Sequence, residues 1–424
     1  MNSAVSNPEQ VSGKKNGPFR VMVVDDSAII RGFLCRYLSE DANIDVVTTA
    51  NNGAVALRQL EQHDIEAVVL DIEMPEMDGM TALPKMLDKQ PDLQVVMAST
   101  LTRKNAEISL RALQMGAVDY VPKPETARSV NANIDFRHEL VEKVKAWASR
   151  RRKKLGVDLP DGVSASGKPM ASQAGFARPS RPQATAGFVS AARPRPTAAT
   201  ASVRAATPAP AAVSAVSSDG KPITLRKGSM RAPKVLLIGS STGGPQALMK
   251  FFAGFKKAPK VPILITQHMP ATFTAILADH LSQSTGWKAQ EGKNGMEPQP
   301  GEIYIAPGGK HMEIEEKDGK VLIRLTDDPP ENFCRPAVDP LFRSAVKIFG
   351  ERILAVILTG MGHDGLKGSR DITREGATLL AQDEATSVVW GMPGAVATAG
   401  LCTEVLPITE IGPAASRRLE GGIG

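Results

Sequence analysis

Between Arg151 and Met230 the chain cannot fold on its own. The stretch "ARPSRPQATAGFVSAARPRPTAATASVRAATPAPAAVSAVSS" is rich in Ala, Pro, Ser and Thr and poor in aromatic residues. Too little apolar surface is available there to offset the entropy of ordering the backbone. The segment also holds thirteen basic residues against three acidic ones. Its basic excess is larger than the net charge of the whole chain, +6, so the rest of the chain is acidic on balance. We read it as a disordered, basic, partly extended linker over 151–230. The 424 residues then divide into a polar, disordered N-terminus at 1–18, a first domain at 19–150, the linker, and a second domain at 231–420.

The overall composition supports real cores on both sides of the linker, with 42% apolar residues. Cys35, Cys334 and Cys402 lie far apart and show no metal-ligand spacing. They imply a reducing compartment and no disulfide framework. The polar start does not read as a signal peptide, and no apolar run is long enough for a membrane span. The expectation is a soluble cytoplasmic protein without membrane insertion.

In the first domain, short apolar runs alternate with helical patterns. "FRVMVVDD", "IDVVTTA", "IEAVVLDIEMP", "LQVVMAST" and "AVDYVPKP" read as strands. "SAIIRGFLCRYLSE", with Ser27 as N-cap, "NGAVALRQLEQH" and "AEISLRALQMG" read as helices. This alternation predicts an α/β fold, a parallel five-stranded sheet covered on both faces. Ligands of such sheets bind beyond the carboxyl ends of the strands. Asp25 and Asp26 end the first strand, Asp71 the third, Ser99 the fourth and Lys123 the fifth. Three carboxylates on one edge require a cation, and hard oxygen donors suit Mg²⁺. A carboxylate there can take a phosphoryl group, with a lysine and a hydroxyl as donors to its oxygens.

With "VVDD", "LDIEMPEMDG", "MAST" and "KP" in this order, the first domain resembles a response-regulator receiver, which has a flavodoxin-like fold. The resemblance implies Asp71 as phospho-acceptor and a histidine kinase as phosphodonor. It implies Asp26, Asp71 and the Glu73 carbonyl as Mg²⁺ ligands, with Asp25 assisting. Ser99 and Lys123 would contact the phosphoryl group, Tyr120 would be the switch aromatic, and Lys123–Pro124 a cis peptide.

The second domain is again α/β, doubly wound. "KVLLIG", "VPILITQH" and "ILAVILTG" read as strands, "PQALMKFFAGF" and "TFTAILADHLSQ" as helices. "PGEIYIAPGGKHMEIEEKDGKVLIRLTD" reads as a small antiparallel insertion. After "KVLLIG" comes Gly239-Ser240-Ser241-Thr242-Gly243. Three uses fit such a strand-to-helix turn: a phosphate cradle, an elbow that exposes a nucleophilic serine, or a plain tight turn. The dinucleotide-loop and P-loop spacings are absent. His268 ends "VPILITQH" and Asp364 follows "ILAVILTG". Three strand ends thus deliver Ser241, His268 and Asp364 to one edge, in the roles of nucleophile, base and orienting acid. His280 sits mid-helix, His311 in the insertion, and His363 merely adjoins Asp364. The order Ser, His, Asp differs from the Ser, Asp, His of α/β-hydrolases.

The motifs "IGSSTGGPQAL", "QHMP", "GEIYIAPGGKHM", "FCRPAVDPLFRSA", "ILTGMGHDG" and "AQDEATSVVWGMPGA" resemble the chemotaxis protein-glutamate methylesterase family, CheB. The resemblance spans Pro233 to Cys402 and, with the receiver, follows the family's domain order. It implies Ser241, His268 and Asp364 as the triad, with no cofactor in this domain. Oxyanion help would come from backbone N–H groups near the elbow and at Met361, with Thr242 assisting and Arg335 either facing substrate or held in a structural ion pair. The family commonly has Ala where Ser240 stands, which raises Ser240 as the rival nucleophile; motif phase favours Ser241. The implied substrate is a glutamyl methyl ester on a receptor's cytoplasmic helices, with deamidation of receptor glutamines as a second activity. The receiver would gate the site, and the chain would act as a monomer. A receiver-controlled DNA-binding regulator is disfavoured, because no helix-turn-helix pattern follows the linker. No nucleic-acid partner is expected.

Overall fold

The structure is a computed structural model and describes residues 17–100, 102–123, 130–160, 213–216 and 222–421. The expected disordered N-terminus, apart from Gly17 and Pro18, and most of the expected linker lie outside the described residues.

The first unit runs β1 (Phe19–Val24), α1 (Ala28–Ser39), β2 (Ile44–Ala50), α2 (Gly53–Gln62), β3 (Ala67–Asp71), α3 (Gly79–Lys89), β4 (Gln94–Ser99), α4 (Arg103–Gln114), β5 (Asp119–Pro122) and α5 (Val130–Leu155). The strands form one parallel sheet in the order β2-β1-β3-β4-β5, as the alternation predicted. All of β3 is buried, because helices cover both faces. Side-chain caps start four of the helices. Ser27, Asn52, Asp78 and Thr102 accept the backbone N–H of Ile30, Val55, Thr81 and Asn105.

Helix α5 crosses the domain end expected at Arg150. Arg152 does not open a solvated linker. Its guanidinium grips Glu66 at 2.6 and 2.7 Å, donates to the carbonyls of Gly17 and Pro18, and lies over the Phe19 ring. The basic run closes the base of the sheet.

The second unit begins with β6 (Val213–Val216) and β7 (Pro222–Thr224), a two-stranded antiparallel pair. It continues with β8 (Val235–Ser240), α6 (Gly244–Ala253), β9 (Ile263–Gln267), α7 (Ala271–Thr285), β10 (Ala289–Glu291) and β11 (Ile303–Ile305). Next come β12 (His311–Lys317), β13 (Lys320–Thr326), α8 (Val338–Phe349), β14 (Ile353–Ile357), α9 (Leu366–Arg374), β15 (Thr378–Gln382), α10 (Met392–Thr398), β16 (Glu404–Leu406) and α11 (Ile408–Leu419). Seven of these strands make a parallel sheet, β10-β11-β9-β8-β14-β15-β16. From β8 the chain winds to β9 on one side and later to β14 on the other. The carboxyl end of β8 is therefore a topological switch point, where a crevice opens.

Two expectations about extent change here. Ile303–Ile305, read with the antiparallel insertion, pairs parallel with Ile263–Ile265 in the main sheet. Only β12 and β13 form the antiparallel hairpin, closed by Asp318 and Gly319 at positive φ. The expected linker end at Met230 follows chain that is already packed. Ile223 is buried in the second core, and Arg226 N–H donates to the Cys402 carbonyl.

The two units touch. Tyr120 of β5 stacks on Phe273 of α7, with centroids 4.4 Å apart and planes 7° from parallel. Gln246 Nε2 donates to the Ala117 carbonyl, and Arg150 Nη1 donates to the carbonyls of Thr386 and Ser387. Among the described residues, no helix is long and apolar enough to cross a membrane.

Candidate functional sites

The carboxyl edge of the first sheet brings Asp25, Asp26, Asp71 and Lys123 together. Oxygens of the three carboxylates lie within 4.8 Å of one another. Lys123 Nζ bridges Asp25 at 2.6 Å and Asp71 at 2.7 Å. Burial pushes the Asp71 carboxyl above its usual pKa; Lys123 opposes this and Asp25 adds to it. Ser99 is buried at the end of β4, where its hydroxyl accepts from Ser109 Oγ. The side chain of Glu73 is exposed and pairs with Lys104, which leaves only its carbonyl as a ligand candidate. Tyr120 is buried under Phe273, with Lys143 Nζ 4.9 Å above its ring centre. Pro124, and with it the expected cis bond, lies outside the described residues.

The second site is built at the end of β8. Gly243 takes φ 74°, the left-handed conformation that turns the strand into α6. Gly244 is packed so closely that a Cβ would stand 1.9 Å from Gln267 Oε1. The two candidate serines have different surroundings. Ser240 is fully buried and donates its hydroxyl to Gln267 Oε1 at 2.7 Å. Ser241 is half-buried, and its hydroxyl has no hydrogen-bond partner among the described residues. Gln267 Nε2 then ties the carbonyls of Ser241 and His268. The N–H groups of Thr242 and Met361 also find no acceptor among the described residues. They stand at the head of α6 and in the turn after β14, where an oxyanion would need donors.

His268 follows β9. Its Nε2 lies 2.8 Å from Asp364 Oδ2, and its Nδ1 lies 3.3 Å from Cys334 Sγ. Burial works against the imidazolium, but Cys334 and Asp364 together outweigh it and raise the His268 pKa to about 10. Asp364 is buried and accepts the backbone N–H groups of Val338, Asp339 and Gly365. Burial pushes its pKa up, yet His268 and these amides prevail and hold it below the ordinary carboxylate value. Asn332 Nδ2 bridges Asp364 Oδ1 at 2.9 Å and Asp339 Oδ2 at 3.1 Å. Arg335 donates to the carbonyls of Asp327 and Asp328, which fixes it to the chain between β13 and α8. His311 is a buried structural histidine held between Pro329 O and Ala337 N–H.

Sequence reasoning missed Gln267, Asn332, Cys334 and Asp339. A polar Gln267 at the end of an otherwise apolar strand was a readable signal. Asn332 and Cys334 come from the return between β13 and α8, and Asp339 from the first turn of α8; their approach to the site is purely tertiary.

Comparisons with known proteins cover both units. Residues 21–135 match the family model "Response regulator receiver domain", and residues 236–415 match "CheB methylesterase". The chain is 48% identical over 409 residues to the protein-glutamate methylesterase/protein-glutamine glutaminase 1 of Rhodospirillum rubrum, covering 96% of this chain and 97% of that protein. It is 49% identical over 403 residues to the protein-glutamate methylesterase/protein-glutamine glutaminase of Azospirillum brasilense, covering 93% and 91%. Among solved structures, the CheB methylesterase catalytic domain of Thermotoga maritima is 39% identical, covers 45% of this chain and 99% of that chain, and has a TM-score of 0.43.

Proposed function

This chain belongs to the protein-glutamate methylesterase/protein-glutamine glutaminase family, and from that premise we propose how its own residues carry the activity. Ser241 is the nucleophile, His268 the base and Asp364 the acid that orients it. The supporting observation is the contrast at the elbow: Ser240 is spent on Gln267, whereas the Ser241 hydroxyl has no partner among the described residues, and Gln267 Nε2 ties the Ser241 carbonyl to that of His268, the residue paired with Asp364.

The substrate is a glutamyl methyl ester on the cytoplasmic helices of a chemoreceptor. Asp364 holds Nε2–H, so the accepting nitrogen is Nδ1, which Cys334 Sγ touches in this structure and gives up to Ser241 when substrate is attacked. As Nδ1 takes its proton, Ser241 Oγ attacks the ester carbonyl carbon. The Thr242 and Met361 N–H groups receive the developing oxyanion. The C–O bond to the methoxy group breaks, and methanol leaves with the proton from His268. Water attacks the acyl-enzyme and gives a proton to Nδ1; the bond to Ser241 Oγ breaks as His268 returns that proton to it, and the receptor is left with a free glutamate carboxylate. A glutamine side chain offers the same carbonyl and releases ammonia instead. Arg335 serves the substrate-facing rim through its hold on the chain at 327–328.

The first unit is the switch. Asp71 accepts a phosphoryl group from a histidine kinase. The donor set fits Mg²⁺: Asp26, Asp71 and the Glu73 carbonyl would hold it, with Asp25 assisting, and it supplies charge neutralisation at the phosphoryl oxygens. Lys123 leaves its bridge between Asp25 and Asp71 to pair with the phosphoryl group, and Ser99 turns toward it. The Tyr120–Phe273 stack links that edge to the catalytic unit. Phosphorylation loosens this contact and raises esterase output. The protein acts in the cytoplasm as a monomer, without nucleic acid.

Methanol release from methylated receptor fragments tests the reading. Ser241→Ala loses release by roughly a thousandfold or more. Asp71→Ala keeps basal release and loses stimulation by a small phosphodonor. Full release by Ser241→Ala would remove the nucleophile assignment, and stimulation surviving in Asp71→Ala would remove the switch assignment.

A further inference from the structure

Phe333 is 99% exposed, more than any other large apolar side chain among the described residues. It also sits in a backbone conformation that suits glycine. Glu331 and Cys334 exchange two backbone hydrogen bonds, 3.1 and 2.9 Å, around a two-residue turn. Asn332 and Phe333 both have positive φ, 52° and 64°. Turns of this kind favour Asn-Gly. Phe at the second position carries a steric cost and returns no burial to the fold. Folding therefore supplies no reason for this side chain.

Its neighbours do supply one. The residue before it, Asn332, holds Asp364 at 2.9 Å. The residue after it, Cys334, touches His268 Nδ1 at 3.3 Å. Arg343 clamps Glu331 at the base of the turn with both terminal nitrogens. The turn is thus fixed to the base and to its orienting acid, and Phe333 projects from between those two anchors.

We propose that Phe333 is a substrate-positioning residue that packs on the receptor helix presenting the ester; this rests on the methylesterase reading above. A helix is about 10–12 Å across with its side chains, so one that delivers a glutamyl side chain to Ser241 spreads over the adjoining rim. Side chains three and four positions from that glutamate share its face. The Phe333 ring meets an apolar residue at one of those positions. The contact selects glutamates that have such a neighbour, and a free small ester lacks it.

The full-length protein is tested on two substrates, methylated receptor fragments and p-nitrophenyl acetate. Phe333→Gly removes the ring and suits the positive φ, so its melting temperature does not fall below wild type. The ratio of receptor kcat/KM to small-ester kcat/KM falls about tenfold or more, chiefly through KM. Phe333→Leu restores most of that ratio. An unchanged ratio in Phe333→Gly overturns the proposal, and so does an equal loss on both substrates, which would mark a structural role. A wild-type protein that cleaves the small ester but not the receptor overturns the methylesterase reading, and this inference with it. That result is distinguishable, because it appears before any variant is made.

Discussion

Ser240 and Ser241 differ by one position and by everything around them. Ser240→Ala leaves Gln267 Oε1 without its donor in a buried place, so we expect a loss of about 1–3 kcal/mol in stability, with turnover kept. Chemical denaturation and methanol release on the same sample check both halves. His268 is the second residue-scale case. Its raised pKa means that the neutral base accumulates only as pH rises, and Cys334 is the largest contribution raising it. Cys334→Ala removes that contribution and lowers the pKa. The rising limb of kcat/KM against pH then moves to lower pH, and a limb that stays in place would separate the thiol from the base. Neither the role of Cys334 nor that of Asn332 was readable in advance. Strand-end reasoning finds residues that a sheet delivers to its edge, and these two arrive on a turn outside the sheet.

At the scale of elements, the elbow depends on absent side chains. Gly244→Ala puts a methyl group into Gln267 Oε1, so the helix start or the glutamine must move. We expect a cost of about 1–3 kcal/mol and a matching fall in melting temperature, because Gln267 also holds the Ser241 and His268 carbonyls. The alternating strands and helices were legible because each long apolar run had a clear period. Two elements misled for physical reasons. Ile303–Ile305 is a three-residue strand beside a real hairpin, too short to show which sheet it joins. Arg151 and Arg152 read as solvated charge, yet they pair with Asp92 and Glu66 from sequence-distant loops, and pairing of that range leaves no local pattern.

The whole molecule joins its two units through a small loop as well as through the aromatic stack. Arg150 of α5 donates to the carbonyls of Thr386 and Ser387. The next residue, Val388, packs on the core of the first unit and against Gly243 of the elbow. Val388 and Val389 donate to Thr359 Oγ1, which donates to the Thr242 carbonyl, and the Thr359 carbonyl accepts Ser241 N–H. Arg150→Ala cuts the first link. Its expected effect is a phosphodonor stimulation at least about fivefold smaller, in keeping with couplings of about 1 kcal/mol or more, read as the ratio of methanol release with and without donor. The sequence pattern showed two units and a tether, but no periodicity could show that one leans on the turn of the other that carries Ser241.

That loop has a thermodynamic consequence that runs backwards. A coupling between two binding sites has one free energy, shared by both. If a phosphoryl group at Asp71 improves the hold on a receptor helix, then a receptor helix must improve the hold on a phosphoryl mimic by the same factor. The substrate is therefore also an effector of the switch. A chain resting on a methylated receptor would bind beryllium fluoride more tightly than one free in solution. Titration of that mimic with and without receptor fragments, using Ser241→Ala to prevent turnover, would give the factor from the opposite side.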